Sequence, residues 1–356
     1  MSGFSKKLSI NEIPKRAKAI EAAIISAKPN SIILIAGKGH ERTQTYNNKI
    51  INISDKDIIK SINNKKIKFD KKNYNKIFNA EIIKELTKKN KLRFEGVSIN
   101  SKQIKKGNLF IAIKGKNHDG HAFAREALKN EANFCVVQKN INKLDKNKLI
   151  KCSNTKIFLN KLAILKRNQI NAKVIAITGS SGKTTLKTLI GKILNEYGKT
   201  YFSKKSYNNH IGVPLSLCNL EKDHKYGVFE IGMSNEGEIR SLSSLVKPDI
   251  AIITNIGEAH IESFDNINSI AKAKSEIIEN INKTGYLILN RDDKYFNYLS
   301  KLAKKRKINV LSFGLSSKAN AKLINNKLHK NYNHLHFRVL NKNIYLKVKN
   351  INPLII

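Results

Sequence analysis

Apolar positions recur along this chain in two rhythms. Over Lys15–Lys28, Ala17, Ile20, Ile24 and Ala27 share one helical face, and Pro29-Asn30 stops the helix. The run Ser31–Ala36 (SIILIA) reads as a buried strand, with Gly37-Lys38-Gly39-His40-Glu41 as a turn at its carboxyl end, where ligands sit in open α/β sheets. Lys65–Asn73 is charged and poor in apolar residues, and reads as a linker. Beyond it the pattern predicts a helix at Asn79–Lys88, strands at Leu109–Ile113 and Asn133–Val137, a loop at Lys114–Gly120 and a helix at Ala122–Lys129.

From Ala172 strands and helices alternate more regularly. Val174–Thr178 is a strand, followed by a loop and a helix, Thr184–Tyr197, with Leu186, Leu189, Ile193 and Tyr197 as its apolar stripe. Strands follow at Tyr226–Ile231, Ile250–Thr254, Tyr286–Leu289 and Asn309–Phe313. This interleaving predicts an α/β fold: a central, mostly parallel sheet flanked by helices, preceded by a smaller α/β domain and a partial Rossmann-like fragment. The expected divisions are 1–64, a linker at 65–73, 74–171 and 172–356.

The sharpest chemical signal lies where the strand Val174–Thr178 enters its helix, through Gly179-Ser180-Ser181-Gly182-Lys183-Thr184-Thr185. A Gly/Ser turn opening a helix points free backbone N–H groups and the positive dipole end at an anion. Gly179 and Gly182 allow close backbone approach, Lys183 can reach β- and γ-phosphates, and the Thr184 hydroxyl can ligate Mg²⁺. The general pattern GxxxxGK[ST] would need glycine at 177, where this chain has Ile177. Further on, Glu230 lies near the carboxyl end of a buried strand, a costly place for a charge unless it is paired or binds a metal. His260 follows another strand and is a candidate metal ligand, and Lys272 and Lys274 lie on the next helix.

Composition constrains the class. There are 356 residues, 67 of them Lys or Arg against 27 Asp or Glu, for a formal charge of +40. Such a charge invites a nucleic-acid reading. However, only nine of the basic residues are Arg, and the densest patches, Lys65–Lys72 and Lys301–Lys307, are short. Nucleic-acid readers concentrate their charge and favour Arg, so the expectation is dispersed lysine on solvated faces and no nucleic-acid surface. No apolar run reaches membrane-spanning length, so no membrane insertion is expected. Three cysteines, Cys135, Cys152 and Cys218, with no CxxC pair, point to a reducing, cytoplasmic setting.

Taken in order, TGSSGKTT (178–185), SYNNHIGVPLSL (206–217), FEIGMSNEGEI (229–239), TNIGEAHIESF (254–264), IAKAKSEI (270–277) and LNRDD (289–293) resemble the Mur ligase family, ATP-dependent amide ligases of peptidoglycan synthesis. With residues 97–128, they look most like the branch that joins D-Ala-D-Ala to UDP-MurNAc-tripeptide. The resemblance implies that Gly179, Ser180, Ser181, Gly182, Lys183, Thr184 and Thr185 hold the ATP phosphates, with Asn290 and Asp293 near adenine and ribose. It implies Thr184 and Glu230 as ligands of one Mg²⁺. His260, Glu230 and a carbamylated Lys274 would hold a second. Asn208 and Asn209 fall in the muramoyl-peptide region. Ser101 falls in the uridine-nucleotide region, where the usual Asp-Ser-Arg reads Asn100-Ser101-Lys102. Residues 11–41 resemble the end of the C-terminal domain of the diaminopimelate-adding branch, in which Gly37 and Glu41 would face that substrate. On this resemblance the chain stops at Ile356 where a third domain would begin, so a partial or inactive nucleotide-binding remnant is one alternative. A folylpolyglutamate-synthase-type ligase and a basic nucleic-acid-binding NTPase are the others. The oligomeric state is left open.

Overall fold

The computed structural model describes residues 16–26, 33–35, 43–46, 49–52, 54–59, 71–87, 92–115, 117–203, 205–259, 261–329 and 331–349. The chain divides into two compact units, Met1–Tyr74 and Asn75–Ile356. The first contains helix α1 (Arg16–Ser26) and an antiparallel pair, β1 (Thr43–Tyr46) and β2 (Lys49–Asn52). Ile20 of α1 and Ile58 form a small core, and Arg16 grips Asp55 through two hydrogen bonds of 2.8 and 2.6 Å. The strand expected at 31–36 is not formed over Ile33–Ile35, and Leu34 is 88% exposed. A buried strand needs pairing neighbours and cover on both faces. The described part of this unit offers only the β1–β2 ribbon, already paired with itself. Gly37 and Glu41 lie outside the described residues.

Helix α2 (Lys71–Thr87) starts eight residues before the helix expected from Asn79, so the end of the expected linker is helical. Lys and Asn carry only a modest helical penalty, and no Gly or Pro interrupts the segment. A four-stranded parallel sheet follows in sequence order: β3 (Val97–Ser98), β4 (Leu109–Ile111), β5 (Phe134–Val137) and β6 (Leu149–Lys151). Helix α3 (Ala124–Lys129) covers one face through Ala124 and Ala127 against Phe110, Cys135 and Val137. Helix α4 (Thr155–Asn168) packs on the other side, burying Phe158, Leu159, Leu162 and Ala163.

A nine-stranded sheet organises the rest. Its parallel part comprises β7 (Lys173–Thr178), β8 (Thr200–Phe202), β9 (Tyr226–Glu230), β10 (Ile250–Ile253), β11 (Tyr286–Asn290), β12 (Asn309–Gly314) and β13 (Ala321–Leu328). β14 (Tyr332–Val339) and β15 (Lys342–Lys349) extend it antiparallel. Across the sheet the order is β15-β14-β13-β12-β11-β10-β7-β9-β8. β7 is buried on both faces. Val174 and Ala176 face one core, while Ile175 and Ile177 face another shared with Val228 and Ile252, as the two-residue strand period requires.

Helix α5 (Lys183–Tyr197) packs on that second face, and its rotation differs from the expected one. Leu186, Ile190 and Leu194 meet the sheet, whereas Leu189, Ile193 and Tyr197 are 48, 59 and 69% exposed. Gly191 explains the turn of the helix: a Cβ there would stand 2.4 Å from the Phe202 ring, so α5 rides directly on β8 at that point. Helices α6 (Gly212–Cys218), α7 (Glu238–Val246), α8 (Ile267–Ser275) and α9 (Phe296–Lys305) complete the layers. Among the described residues no helix is long and apolar enough to cross a membrane.

Candidate functional site

From β7 the chain runs outward to β8, returns to β9, and then crosses to β10 on the other side of β7. The strand order therefore reverses at β7, and such a reversal opens a crevice beyond the strands' carboxyl ends. Register aligns those ends: Ile177 lies opposite Glu230, and Thr178 opposite Ile253. Residues 179–182, Glu230 and the segment after β10 are consequently gathered in one place.

The loop is held from below by the segment Thr254–Gly257. Asn255 Oδ1 accepts from the backbone N–H groups of Ser180 and Ser181 at 3.1 and 2.9 Å. Thr254 Oγ1 donates to the Ser181 carbonyl at 2.6 Å, and Ser180 Oγ donates to the Gly257 carbonyl at 2.8 Å. The two loop glycines serve different needs. At Gly179 φ is +142°, and a Cβ would fall 1.9 Å from Thr254 Oγ1. At Gly182 φ is +78° with open space around it, so only the left-handed backbone requires glycine. Gly182 immediately precedes α5, whose first N–H groups therefore face the crevice.

Lys183 Nζ folds back to donate to the Gly179 and Ser180 carbonyls at 2.8 and 3.3 Å. Burial lowers its pKa, and Glu230 acts in the opposite direction. Glu230 itself is 2% exposed. Its Oε1 accepts from Ser206 Oγ and Asn208 Nδ2, both at 2.8 Å, and its Oε2 accepts from Thr184 Oγ1 at 2.9 Å. Burial pushes this carboxyl upward, but the three hydrogen bonds and the charge of Lys187 outweigh it and hold it below the usual range. The Thr184 and Ser206 hydroxyls also stand 2.9 Å apart. Two hydroxyl oxygens and a carboxylate meeting at one point form a hard-oxygen donor set, and they fit a small divalent cation such as Mg²⁺.

Around these groups lies a cleft of about 360 Å³ that runs from the phosphate loop to Ser206, Asn208 and Glu230. It shares Ser181, Gly182 and Thr185 with a second cavity of about 500 Å³, which extends past Leu186, Leu189 and Ile288 to Asn290 and Phe313. The shared residues join a polar, anion-accepting end to an apolar end. Asp293 lies at neither wall as a free acid: its carboxylate accepts from the backbone N–H groups of Ile256 and Tyr295 at 2.7 and 2.8 Å.

Such a strand–loop–helix, at the reversal point of a parallel sheet and with an acid and a hydroxyl beside the loop lysine, defines a phosphate-loop α/β protein. Residues 177–351 match the Mur ligase middle domain and residues 93–174 match the Mur ligase family catalytic domain, so the chain belongs to the Mur ligase family. It is 39% identical over 260 residues to the UDP-N-acetylmuramoyl-tripeptide–D-alanyl-D-alanine ligase of Rickettsia prowazekii, covering 73% of this chain and 58% of that protein. The Escherichia coli enzyme of the same name is 34% identical over 216 residues, covering 60% of this chain and 47% of that one. Among solved structures, MurF from Acinetobacter baumannii superposes with a TM-score of 0.65 at 28% identity, over 75% of this chain and 60% of that one. MurF from Thermotoga maritima in complex with ADP gives 0.60 at 29% identity, over 71% and 57%. The chain spans about half the length of the curated relatives it matches.

The remaining candidates fall in several places. Lys274, on α8, is 2% exposed, and its Nζ has no hydrogen-bond or ion-pair partner among the described residues. Burial, reinforced by the charge of Lys183, lowers its pKa to about 8. Lys272, on the same helix, is instead paired with Glu236 at 2.8 Å. His260 lies outside the described residues. Asn209 Oδ1 accepts from the Ile211 and Gly212 N–H groups and so starts α6. Ser101, in the smaller sheet domain, donates to Glu126 at 2.6 Å and is 5% exposed. Three contributors carried no role in the sequence: Ser206, Asn255 and Lys187. Lys187 was discoverable, since it follows Thr184 by three residues and therefore shares its helix face. Ser206 and Asn255 sit in irregular segments whose approach to the loop no local pattern encodes.

Proposed function

We propose that the chain acts as an ATP-dependent amide ligase that joins D-Ala-D-Ala to UDP-MurNAc-tripeptide through an acyl phosphate. The observation that carries this reading is the convergence of Lys183, Thr184 and Glu230 on one cleft at the carboxyl end of β7, in a chain related to ligases named for that reaction.

In this reading the N–H groups of Gly182–Thr185 and the start of α5 cradle the ATP phosphates, and the apolar end of the channel, from Leu186 to Phe313, receives the base. Lys183 exchanges its two carbonyl partners for phosphoryl oxygens. The substrate carboxylate attacks the γ-phosphorus and releases ADP. The amine of D-Ala-D-Ala then attacks the acyl carbon, and phosphate leaves from the tetrahedral adduct. Lys183 stabilises the charge that spreads over the transferring group. Thr184, Ser206 and Glu230 would hold Mg²⁺, which when bound supplies further charge stabilisation. Lys274 is a buried amine whose pKa, at about 8, leaves an appreciable neutral fraction near neutrality. A neutral amine can add CO₂ to become an anionic carbamate, which suits a second cation in a place otherwise rich in positive charge.

The test is phosphate release from ATP with UDP-MurNAc-tripeptide and D-Ala-D-Ala. Lys183→Ala should reduce it by about 100-fold or more, the scale of losing a charge-stabilising donor in a transition state. Release that requires both acceptors and collapses in the variant supports the proposal. Release in Lys183→Ala equal to that of the unaltered chain refutes it.

A further inference from the structure

Three lysines among the described residues are almost wholly buried: Lys166, Lys187 and Lys274. An ammonium withdrawn from water is strongly disfavoured unless something inside compensates it. Lys187, at 0% exposure, stands one helical turn beyond Thr184, and its Nζ lies 3.5 Å from Glu230 Oε2. It also donates to Ser203 Oγ at 3.2 Å and to the Lys205 carbonyl at 2.9 Å. Ser203 Oγ in turn donates to that carbonyl at 2.8 Å, closing a small ring. One ammonium therefore ties together the phosphate-loop helix, the segment after β8 and the acid ending β9. That segment leads directly to Ser206 and Asn208, which donate to the other oxygen of the same carboxylate.

We propose that Lys187 is the resident counter-ion of Glu230: a positioning residue that holds the carboxylate, Ser206 and Asn208 in their binding arrangement whenever no divalent cation is there. This rests on the reading of Glu230 as a cation-holding acid. Two positive charges, the ammonium and the cation, then compete for one carboxylate. With the cation absent, Lys187 leaves Glu230 no reason to swing away or to draw the segment after β8 out of place. With the cation present, the same ammonium opposes it, because both address one buried carboxylate. Lys187 thus preassembles the site and also weakens its grip, so that a metal–nucleotide product is not trapped. Thr184, by contrast, offers Glu230 only a neutral hydroxyl, which a cation can take over as a ligand without repulsion.

The experiment compares the unaltered chain with Lys187→Met, which keeps the chain length and removes the charge. Thermal unfolding is measured without and with Mn²⁺ and ADP, and Mn²⁺ affinity in the presence of ADP is measured by electron paramagnetic resonance. The variant should melt lower on its own, gain at least twice the shift of the unaltered chain on adding Mn²⁺ and ADP, and bind Mn²⁺ at least threefold more tightly. A lysine that merely packs would lower both melting temperatures equally and leave Mn²⁺ affinity unchanged, and that result overturns the proposal, as does weaker Mn²⁺ binding. If Lys187→Met does not fold, Lys187→Met/Glu230→Gln, which removes both charges together, should fold and melt close to the unaltered chain. A double variant that also fails to fold overturns it. No Mn²⁺ binding by the unaltered chain with ADP refutes the cation site itself. Normal binding there, with no change in the variant, refutes only the role of Lys187.

Discussion

Replacing Gly179 by alanine gives the most exposed test of the loop's construction. The new Cβ would sit 1.9 Å from Thr254 Oγ1 and 3.0 Å from the Thr254 nitrogen, on a backbone at φ +142°. The hydroxyl cannot simply rotate away without loss, because it donates to the Ser181 carbonyl at 2.6 Å. A side chain forced into that backbone region costs about 1–3 kcal/mol. Overpacking against a held neighbour costs a further 1–3 kcal/mol or so. Together they amount to about 2–6 kcal/mol, a large part of an ordinary folding free energy. Gly182→Ala is the internal control. There φ is +78° and nothing lies within 4 Å, so only the left-handed penalty of about 1–2 kcal/mol applies. Urea unfolding followed by far-ultraviolet circular dichroism measures both losses, and fluorescence of a labelled ADP reports on the loop. Gly179→Ala should be the more destabilised and should bind the nucleotide more weakly. If it loses no more stability than Gly182→Ala, the steric account of the loop is wrong.

Lys166 donates to the Cys218 carbonyl at 2.6 Å, and burial lowers its pKa to about 8 despite the opposing influence of Cys218 and Glu221. Above that value the folded chain has released a proton that the unfolded chain still holds up to the ordinary lysine range. Stability therefore rises with pH through that window, by about 1 kcal/mol between pH 7.5 and 9. Urea midpoints should show this rise shrinking in Lys166→Met, and an identical rise in both proteins would refute the assignment. Asn219 clasps Val97, accepting from its N–H and donating to its carbonyl, both at 2.9 Å. Asn219→Ala should cost about 1–3 kcal/mol and speed hydrogen exchange at the Val97 amide; unchanged exchange there would count against the clasp. For Lys274, activity should fall in buffer stripped of CO₂ and return with bicarbonate. Lys274→Met should be indifferent to either treatment, and a bicarbonate response in that variant would remove carbamylation from the account.

The passage from β7 into α5 was legible because its signals are local: an apolar run covered on both faces, two glycines and a lysine in fixed order. Glu230 was legible for a related reason, as an acid in a strand too apolar to tolerate it unpaired. What failed was the rotation of α5. Leu186, Leu189, Ile193 and Tyr197 do form a helical stripe in sequence, but the close approach of Gly191 to Phe202 turns most of it outward. That contact joins residues 11 positions apart and has no signature in either segment alone. β13, β14 and β15 leave little mark in the sequence because their faces are largely solvent-accessible and rich in Lys and Asn, so the alternation that marks a half-buried strand is faint. Ile33–Ile35 erred the other way, since an apolar run is an appetite for burial and not a guarantee of neighbours. Within the site, Lys183, Thr184 and Glu230 were named from the chain. Ser206 and Asn255 were not, because their roles come from where the strand order reverses.

Helix α6 is buried at every one of its seven residues, from Gly212 to Cys218. At its start, Asn209 Oδ1 accepts from the Gly212 N–H, next to the Asn208 that donates to Glu230. At its far end, Asn219 grips the first strand of the smaller sheet, and Lys166 of α4 binds its last carbonyl. Seven residues of helix span about 10 Å, short enough to transmit displacement without bending. The smaller domain and the phosphate site are thus the two ends of one strut. A shift of the smaller sheet that keeps the Asn219 clasp must push or pull on the segment bearing Asn208. Val97 of the smaller sheet and the Glu230 carboxylate are in this way tied to opposite ends of one buried helix.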